Sequence, residues 1–165
     1  MQMPPPDQSI ISQRLKIASD LAEFVGESNV MSDDVSLKTY ETDGLTAYRQ
    51  MPMLVVLPKN TQEVSEVLSF CSTHGIKVVP RGSGTGLSGG ALPLEDGITL
   101  GLGRLNQILE IDFENRCAVV QPGVSNLAIS QSMENEGFYY APDPSSQIVC
   151  SIGGNVAENS GGVHS

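Results

Sequence analysis

The stretch that decides the fold is Pro80-Arg81-Gly82-Ser83-Gly84-Thr85-Gly86-Leu87-Ser88-Gly89-Gly90. It directly follows Ile76-Lys77-Val78-Val79, an apolar run that reads as a buried strand ending at Pro80. Residues this small let successive backbone N–H groups turn into one concavity, which is how proteins build anion-binding nests. Ser83, Thr85 and Ser88 add hydroxyl donors, and Arg81 is the only full positive charge in the stretch. A pyrophosphate suits such a loop, because it offers many acceptor oxygens and would lie too near the chain for larger side chains. The plain alternative is a glycine-rich turn joining two strands.

Gly84, Gly86 and Gly89 match the spacing GxGxxG, and the acids Glu110 and Asp112 follow about 20 residues on, as in a dinucleotide-binding fingerprint. The context argues against that reading. Such a loop must open a helix whose N-terminus holds the pyrophosphate. Residues 91–103 contain Pro93, Gly97, Gly101 and Gly103, a poor helix sequence. No Lys-Ser/Thr follows the glycines, so the Walker pattern fails as well. The loop is therefore expected to hold phosphates without a helix dipole behind it.

Working outward, Leu54-Val55-Val56-Leu57 reads as a wholly apolar strand ending at Pro58. A helix follows, with Asn60 or Thr61 as N-cap, an apolar face of Val64, Val67, Leu68 and Cys71, and Gly75 as its stop. Strand, helix, strand is a βαβ unit, so the strands at 54–57 and 76–79 should run parallel. Before it, Ile10, Ile11, Leu15, Ile17, Ala18, Leu21, Ala22 and Val25 fall at helical spacing, and Gly26 ends that helix. Residues 1–7 read as a disordered or polyproline-II-like tail, and 27–52 as polar and irregular. Beyond the glycine loop, strands are expected at 98–102, 108–112 and 117–121, with Glu114-Asn115 as the turn between the last two. Ser125 should cap a helix through Met133 that ends at Gly137. Residues 139–146 form a Pro-rich loop, and a short helix begins near Ile152.

The composition narrows the function. With 9 Lys+Arg against 19 Asp+Glu, a net charge of -10 argues against a nucleic-acid binder that works by neutralising phosphates. No apolar run approaches the roughly 20 residues that span a bilayer. The first residues lack the basic start of a secretory signal. Cys71, Cys117 and Cys150 are widely spaced with no CxxC pair, so reduced, mostly buried thiols in a cytosolic protein are expected. His74 sits at a helix C-terminus, where a favourable dipole contact explains it.

A second cluster, Ala141-Pro142-Asp143-Pro144-Ser145-Ser146 followed by Ser151-Ile152-Gly153-Gly154-Asn155-Val156-Ala157-Glu158-Asn159-Ser160-Gly161-Gly162, completes the pattern. The prolines stiffen a loop and Gly153-Gly154 permit close approach. Asn155 and Asn159 offer amides on one face if the piece is helical. Two such clusters favour one extended ligand touched twice.

Taken with Leu57-Pro58, Val79-Pro80-Arg81-Gly82-Ser83-Gly84-Thr85-Gly86 and Val120-Gln121-Pro122-Gly123-Val124, these motifs carry a family resemblance. From about residue 10 to 165 the sequence resembles the N-terminal part of FAD-linked oxidases of the vanillyl-alcohol oxidase / p-cresol methylhydroxylase (PCMH) type. Within that family it is most similar to the glycolate oxidase FAD subunit and the related D-lactate dehydrogenases. The resemblance implies an α+β fold, the N-terminal part of a two-subdomain PCMH-type FAD-binding domain. Residues 1–52 would be an N-terminal tail and helix, and 53–165 the FAD-binding domain, incomplete at its C-terminus.

The resemblance also implies site residues. Arg81, Gly82, Ser83, Gly84, Thr85 and Gly86 would wrap the FAD pyrophosphate, with Gly90 and Ala91 closing the loop. Pro142, Asp143, Ser145, Ser146, Gly153, Gly154 and Asn155 would lie along the ribityl chain and isoalloxazine, and Asn159, Ser160 and Gly161 just behind. Val124 would pack near the cofactor or in plain core. Residues 81–91 hold no histidine, so the FAD is expected to be non-covalent. His164 is the one histidine near the site, and its plain reading is a side chain without a special role. No residue of the chain is assigned as catalytic or metal-binding. The intact protein would oxidise a 2-hydroxy acid, glycolate or D-lactate, to the 2-oxo acid, with hydride passing to the flavin. Flavin-type and iron–sulfur partner subunits, and a cytoplasmic location with membrane association through those subunits, are implied too. The competing expectations are an inactive fragment or interaction piece, and another FAD enzyme on the same scaffold, such as an NADPH-dependent reductase acting on a nucleotide-sugar.

Overall fold

A computed structural model describes residues 5–164. Two compact units divide the chain, one of residues up to Arg81 with 86–102, the other of residues 82–85 with 103 onward.

The first unit contains α1 (Gln8–Ile11), α2 (Arg14–Val25), β1 (Val30–Met31), α3 (Asp34–Lys38), β2 (Leu54–Val56), α4 (Thr61–His74), β3 (Lys77–Arg81) and β4 (Gly97–Gly101). Its sheet has the order β1-β2-β4-β3. β2 and β3 run parallel as the βαβ pattern requires, yet they are not neighbours. β4 lies between them and pairs with both in parallel. β3 is thus an edge strand, which is why it continues through Pro80: a proline lacking an N–H is tolerated where one side of the strand is unpaired. The strand β1 and the helix α3 lie in the segment expected to be irregular. β1 has two residues, too few to show alternation, and pairs antiparallel with β2.

The core of this unit comes from the expected patterns. Ile17, Leu21 and Val25 on α2 and Val67 and Cys71 on α4 pack with Leu54, Val56, Ile98 and Leu100 of the sheet. Asn60 caps α4 by accepting from the Glu63 N–H at 2.8 Å, and the Glu63 carboxylate reaches back to accept from the Lys59 N–H at 2.8 Å. This reciprocal arrangement satisfies donors that a helix start leaves orphaned and stabilises it by about 1 kcal/mol. Gly75, with φ +64°, ends the helix in the left-handed region. His74 Nδ1 lies 2.8 Å from the Phe70 carbonyl in that last turn. Residues 1–4 of the expected tail lie outside the described residues. Asp7 is anchored: it caps α1 and donates its N–H to Asp96 Oδ2 at 2.8 Å. Asp96 is buried and also accepts from Lys77 Nζ at 2.6 Å.

The second unit contains the antiparallel pair β5 (Ile108–Asp112) and β6 (Cys117–Val120), then α5 (Asn126–Gln131) and α6 (Ile152–Glu158). The β5–β6 turn is held by Asp112 Oδ1 accepting from the Asn115 N–H at 2.9 Å. Ser125 Oγ caps α5 as expected, accepting from Ala128 N–H. α5 stops earlier than the apolar spacing suggests, and a 3-10 turn (Glu134–Glu136) carries the chain to Gly137. Val124, Ile129 and Ile152 form the small core. Beside it is an apolar cavity of about 580 Å³, walled by Val120, Met133, Phe138, Tyr140 and Val156 among others. Among the described residues, no helix is long and apolar enough to cross a membrane.

Candidate functional site

β3 delivers Arg81 to the start of the glycine loop. The guanidinium does not extend along the loop. It turns to the segment 40–43, donating from Nη1 to the Thr42 carbonyl at 2.8 Å and lying 5.5 Å over the Tyr40 ring. Burial lowers its pKa, while the charges of Asp43 and Tyr40 act to raise it. Asp43 is itself buried, with Oδ1 accepting from Leu45 N–H and Oδ2 without a partner among the described residues. The polar 40–45 segment, unremarkable in sequence, therefore braces the root of the loop. The signal that could have found it is Asp43-Gly44, which reads only as a turn.

From Gly82 to Ala91, no backbone N–H donates a hydrogen bond to another described residue. That is ten consecutive donors held out of any helix or sheet ladder, where backbone groups are normally paired. Gly84 and Gly89 adopt φ of +71° and +77°, which L side chains rarely enter. After the loop comes the strand β4 and no helix, so the GxGxxG match lacks the element that gives a dinucleotide fingerprint its dipole. Ser83, Leu87, Ser88 and Gly90 are exposed, and Thr85, Gly86 and Ala91 half-buried.

In the second unit, Gly82 has a different neighbour. A Cβ there would collide with Ser151 Oγ. Ser151 begins α6, and this region is stitched to residues 122–126. Ile152 N–H donates to the Val124 carbonyl at 2.8 Å and Gly153 N–H to the Pro122 carbonyl at 2.9 Å. A Cβ on Gly153 would lie 2.7 Å from Pro122 Cβ, so this glycine is demanded by protein packing. Gly154 is exposed, and a Cβ there would meet only Ser151 Oγ at 3.3 Å. The two asparagines are not a matched pair. Asn155 is buried, with Nδ2 lacking a partner among the described residues. Asn159 is exposed at the helix end, in the left-handed region with φ +54°. The helix stops before a second amide can share the face of Asn155.

Residues 142–146 are held from both sides. Buried Asn126, not flagged by the sequence, donates from Nδ2 to the Pro142 carbonyl at 3.0 Å. Asp143 N–H donates to the Gly161 carbonyl at 2.9 Å. The Asp143 carboxylate turns to the exposed residues Val163 and His164. Oδ1 accepts from the N–H groups of Val163 (3.0 Å) and His164 (3.1 Å), and Oδ2 lies 2.7 Å from His164 Nδ1. The backbone and ring bonds from His164, its charge and the Val163 N–H together lower the Asp143 pKa. Ser146 is half-buried and Ser145 exposed; the Ser146 carbonyl accepts from Val149 and Cys150, and Ser160 N–H donates to the Asn155 carbonyl.

Comparison with known proteins gives this geometry a family. A family model described as FAD binding domain matches residues 52–165. Over 151 residues the chain is 54% identical to glycolate oxidase subunit GlcD of Escherichia coli K12, covering 92% of this chain and 30% of that protein. GlcD of Bacillus subtilis is 44% identical, covering 89% and 31%. The mitochondrial D-2-hydroxyglutarate dehydrogenase of Arabidopsis thaliana is 37% identical, covering 90% and 26%. The chain thus spans about a third or less of the length of these relatives. Among solved structures, alkyldihydroxyacetonephosphate synthase superposes with a TM-score of 0.78 at 20% identity, covering 95% of this chain and 30% of that one. p-Cresol methylhydroxylase superposes with 0.72 at 22% identity, covering 92% and 30%. At such identities the superpositions establish the mixed helix-and-sheet, PCMH-type fold. The match over residues 52–165 establishes more: the chain belongs to the FAD binding domain family, whose cofactor is FAD.

Proposed function

We propose that this chain binds FAD without a covalent link and is the cofactor-holding part of an oxidoreductase acting on 2-hydroxy acids. The observation that carries the reading is the run of ten N–H donors from Gly82 to Ala91 without a partner among the described residues, in a chain of this family. The residues present fit the cofactor. Ser83 to Gly86, closed by Gly90 and Ala91, supply backbone donors suited to a pyrophosphate. Asn155 Nδ2 is a buried donor without a partner among the described residues, suited to a ring carbonyl. In the second unit Pro142, Ser145, Ser146, Gly153, Gly154, Ser160 and Gly161 are proposed as further cofactor contacts, and Gly82, Arg81, Asp143 and Asn159 hold their own segments in shape. Residues 53–165 would form the binding domain, and 1–52 the tail and helix that precede it.

FAD, when bound, supplies the acceptor for a hydride from the hydroxyl-bearing carbon of glycolate or D-lactate, giving the 2-oxo acid. The names of the relatives support the 2-hydroxy-acid class. This chain's residues bind and orient the cofactor, and none is assigned to move the substrate proton. Flavin-type and iron–sulfur partner subunits, and a cytoplasmic setting with membrane contact through them, belong to the same proposal. The test is a titration of the purified chain with FAD. Quenched flavin fluorescence and a yellow product that releases all its flavin on acid precipitation are expected. A folded chain that leaves FAD fluorescence unchanged refutes the binding reading, and flavin retained in the precipitate refutes the non-covalent one.

A further inference from the structure

We infer that Asp143 and His164 form a clasp that locks the segment 142–146 to the turn 159–164, making Asp143 a positioning residue for the cofactor surface. The inference deepens the FAD reading and rests on it for its functional half. Its structural half stands on four hydrogen-bond contacts. The backbone of Asp143 forms a parallel bridge with Gly162 and donates to the Gly161 carbonyl at 2.9 Å. Its carboxylate takes two successive backbone N–H groups, from Val163 and His164, on Oδ1, and the His164 ring on Oδ2. Gly162 makes the approach feasible. It sits at φ +79°, and a Cβ there would strike the Asp143 backbone and lie 2.6 Å from Oδ1. Only glycine meets both the conformation and the contact.

The chemistry of the ring follows. An ionised carboxylate is acceptor-only. His164 Nδ1 must then be the protonated nitrogen, and in the neutral ring Nε2 is left as an acceptor. The clasp therefore selects a tautomer as well as a loop position. With Asp143 consumed by the protein, the cofactor surface it supports is offered by the backbone on either side of it. Asn126 grips the preceding Pro142 carbonyl, so the segment is fixed at two consecutive residues.

The experiment uses the full chain and three variants: Asp143→Asn, His164→Asn and His164→Ala. Nitrogen-15 NMR of the imidazole should show the Nδ1–H tautomer at neutral pH. Amide exchange at Val163 and His164 should speed up on the order of tenfold in Asp143→Asn, which loses the ionised acceptor. FAD affinity should fall by about tenfold in Asp143→Asn and in His164→Ala, and recover in His164→Asn, whose amide can donate from nearly the place of Nδ1. An Nε2–H tautomer, or unprotected Val163 and His164 amides in the parent chain, overturns the clasp whether or not FAD binds. A clasp seen by NMR with FAD affinity unchanged in Asp143→Asn overturns the positioning role. A parent chain that does not bind FAD overturns the underlying FAD reading and the positioning role together, while the NMR arm still decides the clasp.

Discussion

Replacing Gly82 by alanine separates two reasons a glycine can be required. The added Cβ would collide with Ser151 Oγ, yet it would sit 3.4 Å from Ser151 Cβ, an ordinary contact. One hydroxyl is the whole obstacle. Turning it aside to a poorer rotamer costs about 0.5–1.5 kcal/mol, and overpacking at a tight site costs about 1–3 kcal/mol. The expected destabilisation of Gly82→Ala is therefore about 1–3 kcal/mol, read as a lowered urea midpoint at unchanged slope. Ser151 Oγ makes no hydrogen bond among the described residues, so Ser151→Ala alone should change stability by less than about 0.5 kcal/mol. The double variant should then recover to within about 0.5 kcal/mol of the parent. FAD titration of the same four proteins asks the other question. If affinity returns with stability, Gly82 serves packing alone; if it stays low, a ligand also needs the space. A single variant as stable as the parent, or a loss that Ser151→Ala does not repair, refutes the packing argument.

Gly154→Ala should be neutral or raise stability by up to about 1 kcal/mol, since alanine favours the helix and Ser151 Oγ at 3.3 Å can give way; weaker FAD binding at intact stability would support this exposed face as cofactor surface. Lys77→Met leaves buried Asp96 without its ammonium, and we expect a loss of about 1–2 kcal/mol by urea denaturation at neutral pH, because Lys77 is 42% exposed. Burial pushes the Asp96 pKa up, but the bonds from Lys77 and Asp7 and the Lys77 charge outweigh it and leave it lowered. The contribution of the pair is thus complete above the unfolded carboxyl value of about 3.9 and is lost as pH falls through the lower folded value, where variant and parent should converge. Burial pushes the Cys71 thiol up to about 11, and Cys150 is buried while Cys117 is exposed. Ellman's reagent should find one fast thiol in the native chain and three after unfolding, and a rapid reaction at Cys71 would contradict its packing against α2 and the sheet.

The fold was readable wherever burial imposed a period. α2, α4, β2 and β4 show their apolar spacing because each packs a defined face into one core, and their ends carry cap residues with a mechanism, Asn60, Gly26 and Gly75. What escaped is what no local pattern encodes. β1 is two residues long and exists because β2 offers it an edge. The insertion of β4 between β2 and β3 is a fact of topology, invisible to a reading that joins consecutive elements.

The candidate site divides on the same physical ground. Residue type announced where the backbone must come close to something, but not what it approaches. Gly153 turns out to answer to Pro122, Gly162 to Asp143 and Gly82 to Ser151, all within the protein. The donors from Ser83 to Ala91 answer to no described residue. The resemblance places Asp143 along the cofactor, and nothing in its local sequence shows that its carboxylate takes three donors about twenty residues further on. A stretch whose polar groups are already satisfied shapes a site, and a stretch whose groups are unsatisfied binds. By that criterion we propose the donors from Ser83 to Ala91 and the buried Asn155 amide as cofactor contacts, each within its own unit, and the second glycine cluster combines packing residues such as Gly153 with exposed ones such as Gly154 and Ser145 that remain part of the same proposal.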